Sequence, residues 1–249
     1  MNVLTTLLLL TLFTMSLGKT HHIQNRIING WVGRTDFYKY YAFIYLNGKP
    51  YCGGTIVKEN VVISAASTMA GISAANLKIY AGVKNISDVQ SIYPQGVNKI
   101  TSHPQYKSGF SDYDVSILFL SSNIVYSNKV GNIAPSPTHY NVNEVVTIIG
   151  FGLTNCNQKD ASGKCSSTTP SDYLRVAYMN IKGYTGNDTM VTNATFKGIT
   201  SCYGDFGGPV VYDNQLVGVQ SLVQNADCSG DSYQASIDKV YYWIESYIK

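Results

Sequence analysis

Apolar residues fall in short runs along most of the chain, each closed by turn formers. The clearest are Leu77–Val83, Val115–Leu120, Val145–Gly150, Tyr173–Ile181 and Leu216–Leu222. Runs of this length, rich in β-branched and aromatic residues, predict strands. Asp213-Asn214 between Val210-Val211 and Leu216-Val217 predicts a tight turn joining two of them. Val115–Leu120 is apolar without alternation, as expected of a strand buried on both faces. Helical periodicity is confined to the C-terminus, where Val240, Trp243, Ile244 and Tyr247 fall on one face. Many strands with little helix predict an all-β sandwich or barrel.

The N-terminus follows another pattern. Val3 to Met15 is almost wholly apolar, too short to span a bilayer comfortably, and Ser16-Leu17-Gly18 offers small residues for cleavage. This predicts a signal peptide over 1–18, with an N-terminal membrane anchor as the alternative. Residues 19–26 then read as a pro-segment ending at Arg26, and 27–249 as the mature domain. Secretion allows disulfides. It also gives meaning to the sequons at Asn85, Asn187 and Asn193 as glycosylation candidates.

With 45% hydrophobic and 13% charged residues, the chain is neither disordered nor fibrous. Without Lys19 and Arg26, 16 basic residues face 15 acidic ones. A near-neutral chain without a basic run gives no electrostatic basis for binding nucleic acid or an anionic membrane. The loop after Tyr80 lacks the clustered acids that calcium needs, so no metal and no cofactor are expected.

Several motifs then occur in a telling order. They are Arg26-Ile27-Ile28-Asn29-Gly30, Cys52-Gly53-Gly54-Thr55-Ile56, Val62-Ile63-Ser64-Ala65-Ala66, Asp114-Val115-Ser116-Ile117-Leu118, Gly150-Phe151-Gly152 and Gly204-Asp205-Phe206-Gly207-Gly208-Pro209-Val210. In this order they resemble the landmarks of trypsin-like serine proteases, from the activation junction to the segment around the nucleophile. The resemblance spans Ile27 to Lys249. It implies two packed six-stranded antiparallel β-barrels, a short C-terminal helix, and an active site between the barrels.

In the active family a serine attacks the scissile carbonyl, a histidine takes its proton, and an aspartate orients the histidine. The aspartate position is kept as Asp114, but the histidine position is Ser67 and the nucleophile position is Phe206. A serine hydroxyl is no base near neutral pH, and a phenyl ring has no nucleophile. The mature chain has two histidines, His103 and His139, both expected as exposed loop residues. The Gly204 and Phe206 amides are the oxyanion-hole remnant. Losing the nucleophile alone costs roughly 10⁶ in turnover in a related mechanism. The resemblance therefore implies a pseudoprotease with no detectable proteolysis.

The specificity-pocket remnant has Thr200 in place of an acidic floor, Ser221-Leu222-Val223 in place of Ser-Trp-Gly, and Ala235 near another expected glycine. With the Phe206 ring, these predict a cleft narrowed against an extended peptide, through either drift or selected closure. Asp205 and the Arg26-Ile27 junction are retained. The family's activation chemistry implies that a freed Ile27 amine pairs with Asp205, since a buried charge needs a partner.

Among five cysteines, the resemblance pairs Cys202 with Cys228. Cys156 and Cys165 are expected to close a local bridge. Cys52 is left over because its family partner position is Thr68, so it is either a buried inert thiol or an intermolecular bridge.

Twenty tyrosines, with Phe37, Tyr38, Tyr40 and Tyr41 bunched together, fit a recognition surface or simply strand composition. The chain also resembles mite digestive trypsins, in Cys52-Gly53-Gly54-Thr55-Ile56 and the Trp243-Ile244-Glu245-Ser246 ending. Among those, it resembles the scabies mite inactivated serine protease paralogues. That resemblance implies a secreted, extracellular monomer that binds host complement proteins and suppresses the cascade. The alternatives are a decoy for protease inhibitors and a hydrolase with rerouted chemistry.

Overall fold

The structure, a computed structural model, describes Ile27 and residues 30–153, 159–165, 171–186, 189–195 and 199–249. The expected signal peptide and pro-segment, Arg26, Cys156 and Asn187 lie outside the described residues.

In chain order the strands are β1 (Trp31–Val32), β2 (Tyr41–Leu46), β3 (Lys49–Lys58), β4 (Val61–Ser64), β5 (Leu77–Ala81), β6 (Gln95–Ser102) and β7 (Ser116–Leu120). There follow β8 (Ala134–Pro135), β9 (Val145–Gly150), β10 (Arg175–Thr185), β11 (Thr189–Ala194), β12 (Pro209–Tyr212), β13 (Gln215–Val223) and β14 (Ser232–Ser236). Helix α1 (Ala66–Met69) follows β4, and α2 (Ile237–Ile248) ends the chain. The first barrel closes in the order β2-β3-β4-β7-β6-β5. The second runs β9-β10-β11-β14-β13-β12 and closes because β12 also pairs with β9. The fold is therefore two six-stranded antiparallel barrels and a C-terminal helix. Two short strands are appended: β1 on β10, and β8 in parallel beside β13.

Three apolar clusters follow from the period-two alternation of side chains. One fills the first barrel, with Ile44, Ile56, Val62, Leu77, Ile79 and Leu118. A second fills the other barrel, with Ile27, Val146, Ile148, Met179, Met190 and Val217. The third joins the barrels, and in it Phe43 of β2 stacks on Phe151 at 4.4 Å and 12°. Strand β7 serves two clusters, Leu118 facing the first barrel's interior and Ile117 the joint. This is why Val115–Leu120 reads as a continuous apolar run. The turn between β12 and β13 holds Asp213 and Asn214 at φ 44° and 55°, the left-handed pair that a two-residue hairpin demands. Helix α2 buries Ile237, Val240 and Ile244.

Candidate functional site

Strand β4 runs into α1, which places Ser67 in its first turn, and Asp114 lies just before β7, separated from it by Val115. Register Ser64↔Ser116 between β4 and β7 brings the two together. Asp114 is fully buried. Its Oδ1 accepts from the Ser67 amide at 2.6 Å, and its Oδ2 from the Ser67 hydroxyl at 2.8 Å and the Ser221 hydroxyl at 2.5 Å. Burial pushes this carboxyl upward, and the bonds from Ser221 and Ser67 oppose the shift. Burial, and then the Asp114 carboxylate, raise the pKa of the Tyr106 phenol, which lies near Ser67. Sequence reasoning missed Tyr106, because nothing in a loop tyrosine signals that it lies near this aspartate. Ser67 thus gives its hydroxyl proton to Asp114.

Phe206 is half-buried, its ring meeting Tyr203 edge-on at 5.7 Å, and Lys164 Nζ sits 4.7 Å from the Tyr203 ring. Its carbonyl accepts from the Gly53 amide at 3.0 Å, which ties the segment to the first barrel. Gly204 at φ 97° and Gly207 at φ 81° shape the turn on either side. Among the described residues, neither the Gly204 nor the Phe206 amide has an acceptor. They form an electrostatic cradle beside the Phe206 ring.

Asp205 is also fully buried. Its carboxylate accepts from the Gly152 amide at 2.8 Å and the Cys202 amide at 3.0 Å. A Cβ at Gly150 or Gly152 would collide with this carboxylate, which explains the glycines flanking Phe151. Burial raises the Asp205 carboxyl to about 7, against the pull of both amides. The neighbouring Tyr41 hydroxyl is buried without a partner, and burial and Asp205 both push it up. Ile27 is fully buried in the second barrel's core at φ 36°, and in the intact chain its nitrogen is a peptide amide.

Thr200 is buried, with its Oγ1 at 3.2 Å from Ser232 Oγ and 3.1 Å from the Ser201 carbonyl. Ser201 donates to Gln220 Oε1 at 2.6 Å, and Gln220 Nε2 donates to the Ile149 carbonyl at 2.9 Å. The hydroxyls thus bond to one another and to the second barrel. Val223 pairs with Ser232, whereas Ala235 pairs with Val219 inside the joint between barrels. The 224–231 loop is pinned by Lys159–Asp227 at 2.7 Å, Lys182–Asp231 at 2.6 Å and the Cys202–Cys228 disulfide. Lys159 and Ser229 hold the Asp227 carboxyl well below the usual range.

Cys165 is disulfide-bonded, and its sulfur lies 3.8 Å from that of Cys228. The sulfurs of Cys165, Cys202 and Cys228 cluster within 4.8 Å, but disulfide sulfurs are not the thiolates a metal requires. Cys52 is a free buried thiol, which burial pushes up to about 12. Thr68 turns its hydroxyl to the Ala65 carbonyl at 2.8 Å. A thiol so enclosed has no access to a second molecule while the chain is folded.

His103 departs from expectation. It is buried, stacked on Tyr113 at 4.9 Å and edge-on to Trp243 at 4.8 Å, because the turn after β6 lies under α2. Burial lowers its pKa. His139 is exposed and bonded to Asp238 at 2.9 Å. Neither histidine contacts Ser67, Asp114 or Phe206. Asn85 caps the turn over 86–90, its Oδ1 accepting from the Ser87 amide and hydroxyl. Asn193 is half-exposed on β11 opposite Asn180.

Comparison with known proteins agrees with this geometry. The trypsin family profile matches residues 27–244. The chain is 30% identical over 203 residues to trypsin 5G1 of Aedes aegypti, covering 78% of this chain and 74% of the relative. It is 29% identical over 186 residues to a trypsin of Saccharopolyspora erythraea, covering 72% and 78%. It is 28% identical over 223 residues to hypodermin-A of Hypoderma lineatum, covering 87% and 84%. In fold it is similar to mouse neuropsin, with a TM-score of 0.75 at 19% identity over 88% of this chain and 99% of that one. It is likewise similar to human heparin binding protein, with a TM-score of 0.76 at 17% identity over 88% and 95%.

Proposed function

The chain belongs to the trypsin family, and within that family we propose that it is a catalytically inactive, secreted member that acts by binding proteins. One observation carries this reading: the Ser67 hydroxyl and amide both donate to Asp114, at the position where the family holds its base. The position of the nucleophile is a phenyl ring packed on Tyr203. A site needs a group to attack the carbonyl and a group to accept the proton. Ser67 and Phe206 supply neither.

The pocket supports the same reading. The Thr200 hydroxyl is buried against Ser232, and no carboxylate stands there to attract a basic side chain. Val223 sets a branched side chain on the edge where a substrate backbone would pair. Asp205 remains poised for an amine released at Ile27, so cleavage after Arg26 completes the fold without creating activity.

The partner in this proposal is host complement, the class implied by the likeness to inactivated mite paralogues. Purified mature protein, added to a complement lysis assay at micromolar concentration, is expected to reduce lysis. Unchanged lysis rejects the complement assignment. Tight binding of a Kunitz-type inhibitor would instead identify an inhibitor decoy.

A further inference from the structure

The segment after β5 crosses the segment before β10 at a single antiparallel bridge, where Asn85 faces Tyr173. The Ile86 amide donates to the Asp172 carbonyl at 2.7 Å, and the Leu174 amide to the Lys84 carbonyl at 2.8 Å. We propose that Asn85 carries an N-linked glycan whose first N-acetylglucosamine packs on the Tyr173 ring.

The first observation is the state of the Asn85 side chain. Asn85-Ile86-Ser87 is a sequon, in which Asn85 is half-exposed and Ser87 exposed. Asn85 Oδ1 is occupied, accepting from the Ser87 amide at 2.9 Å and the Ser87 hydroxyl at 2.7 Å. The Asp88 carboxylate completes the cap, accepting from the Lys84 and Asn85 amides at 3.0 and 2.8 Å. Among the described residues, Asn85 Nδ2 has no acceptor. N-glycosylation replaces one hydrogen on that nitrogen and leaves Oδ1 an acceptor. The modified side chain therefore keeps every bond of the folded turn.

The second observation is the ring opposite. The two backbone bonds flank the Asn85–Tyr173 pair rather than join it. That makes it a non-hydrogen-bonded pair, the kind whose Cα atoms stand only about 4.5 Å apart and whose side chains lie closest. Directly opposed residues project to the same face. Tyr173 is 40% exposed, and the Arg175 guanidinium lies 5.9 Å from the centre of its ring. A ring so placed offers apolar surface to the C–H groups of a hexosamine attached at the neighbouring nitrogen. Asn193, the other sequon asparagine among the described residues, faces Asn180 instead and has no ring directly opposite.

This inference rests on the secreted reading above and not on the state of the cleft. In the secretory pathway Asn85 Nδ2 attacks C1 of the first sugar of a lipid diphosphate-linked oligosaccharide. The N–C1 bond forms, the bond from C1 to the diphosphate oxygen breaks, and the amide proton passes to the transferase.

The test begins with expression in cultured insect cells behind a supplied signal peptide, which makes the result independent of the chain's own leader. Peptide mapping after treatment with peptide N-glycosidase is expected to find Asn85 converted to aspartate, and the Ser87→Ala variant is expected to lack that conversion. An unmodified Asn85 in the secreted protein overturns the proposal. For the packing, glycans are trimmed to one N-acetylglucosamine, and melting is compared with and without Ser87→Ala, both beside Tyr173 and beside Tyr173→Ala. The sugar is expected to raise the melting temperature by roughly 2 °C more when the ring is present. Tyr173 is a surface residue, and secretion of its variant reports that it folds. An equal effect of the sugar in both backgrounds overturns the packing on Tyr173.

Discussion

Ser67 gives both its backbone amide and its hydroxyl to the carboxylate of Asp114, at 2.6 and 2.8 Å. The aspartate that orients a catalytic base elsewhere in the family here receives a non-base. Ser221 supplies a third donor at 2.5 Å. A buried carboxylate with three donors is stable where it stands, so the loss of the histidine leaves no unmet charge to drive collapse.

If the rest of the site is intact, restoring the missing atoms should restore labelling. The double variant Ser67→His/Phe206→Ser is expected to react with a fluorophosphonate, while the wild type and the single Ser67→His variant do not. Peptide turnover in the double variant should remain poor, because Val223 and Thr200 still shape the cleft. Gel fluorescence reads the labelling directly. A silent double variant would mean that the oxyanion cradle at Gly204 and Phe206 is misplaced.

Asp205 makes the uncleaved chain sensitive to pH. Its folded value of about 7 lies above the ordinary carboxyl value of 3.8 expected when unfolded. Between these values the folded state holds more protons than the unfolded one, so stability falls as pH rises from about 4 to about 7. The loss is complete above the folded value and amounts to a few kcal/mol. Once the chain is cut after Arg26, the Ile27 amine gives the carboxylate a cationic partner and the slope should flatten or reverse. Urea unfolding of an Arg26→Gln variant and of the cleaved chain, across this range, compares the two. Identical slopes would show that Ile27 and Asp205 do not pair.

Cys52 should behave as a sealed thiol. A colorimetric thiol reagent is expected to find no reactive group in the folded protein and one after denaturation. Non-reducing electrophoresis should show monomer. A thiol that reacts at once under native conditions would contradict the burial that raises it to about 12.

The two barrels depend on the rings stacked between them. Phe151→Ala removes one member of the Phe43–Phe151 pair, and both residues are almost fully buried. A loss of about 3–5 kcal/mol is expected, read as a lower urea midpoint. A loss below about 1 kcal/mol would mean the joint repacks freely.

Much of this was legible in the sequence because local pattern and global fold agree. Val145–Gly150 is a strand with the bounds its apolar run marks, and Asp213-Asn214 is the turn its composition requires. The substitutions at Ser67 and Phe206 could be placed because fixed motifs flank them closely. What could not be read depends on register and on packing between distant segments. The bulge in β13 sets which residues of β14 face Leu222 and Val223. His103 sits in a turn that composition marks as exposed, yet α2, far along the chain, covers it with Trp243. Tyr106 comes near Asp114 only through the fold of its loop. The bunched rings at 37–41 divide likewise: Tyr40 and Tyr41 are core, while Phe37 faces outward.

The most direct measurement is hydrolysis of casein by the purified, processed protein, run beside its own Asp114→Ala variant. No cleavage above the buffer blank in either sample is expected. Cleavage by the wild-type chain that Asp114→Ala abolishes would contradict the account, because contaminating enzyme would be unaffected by that change.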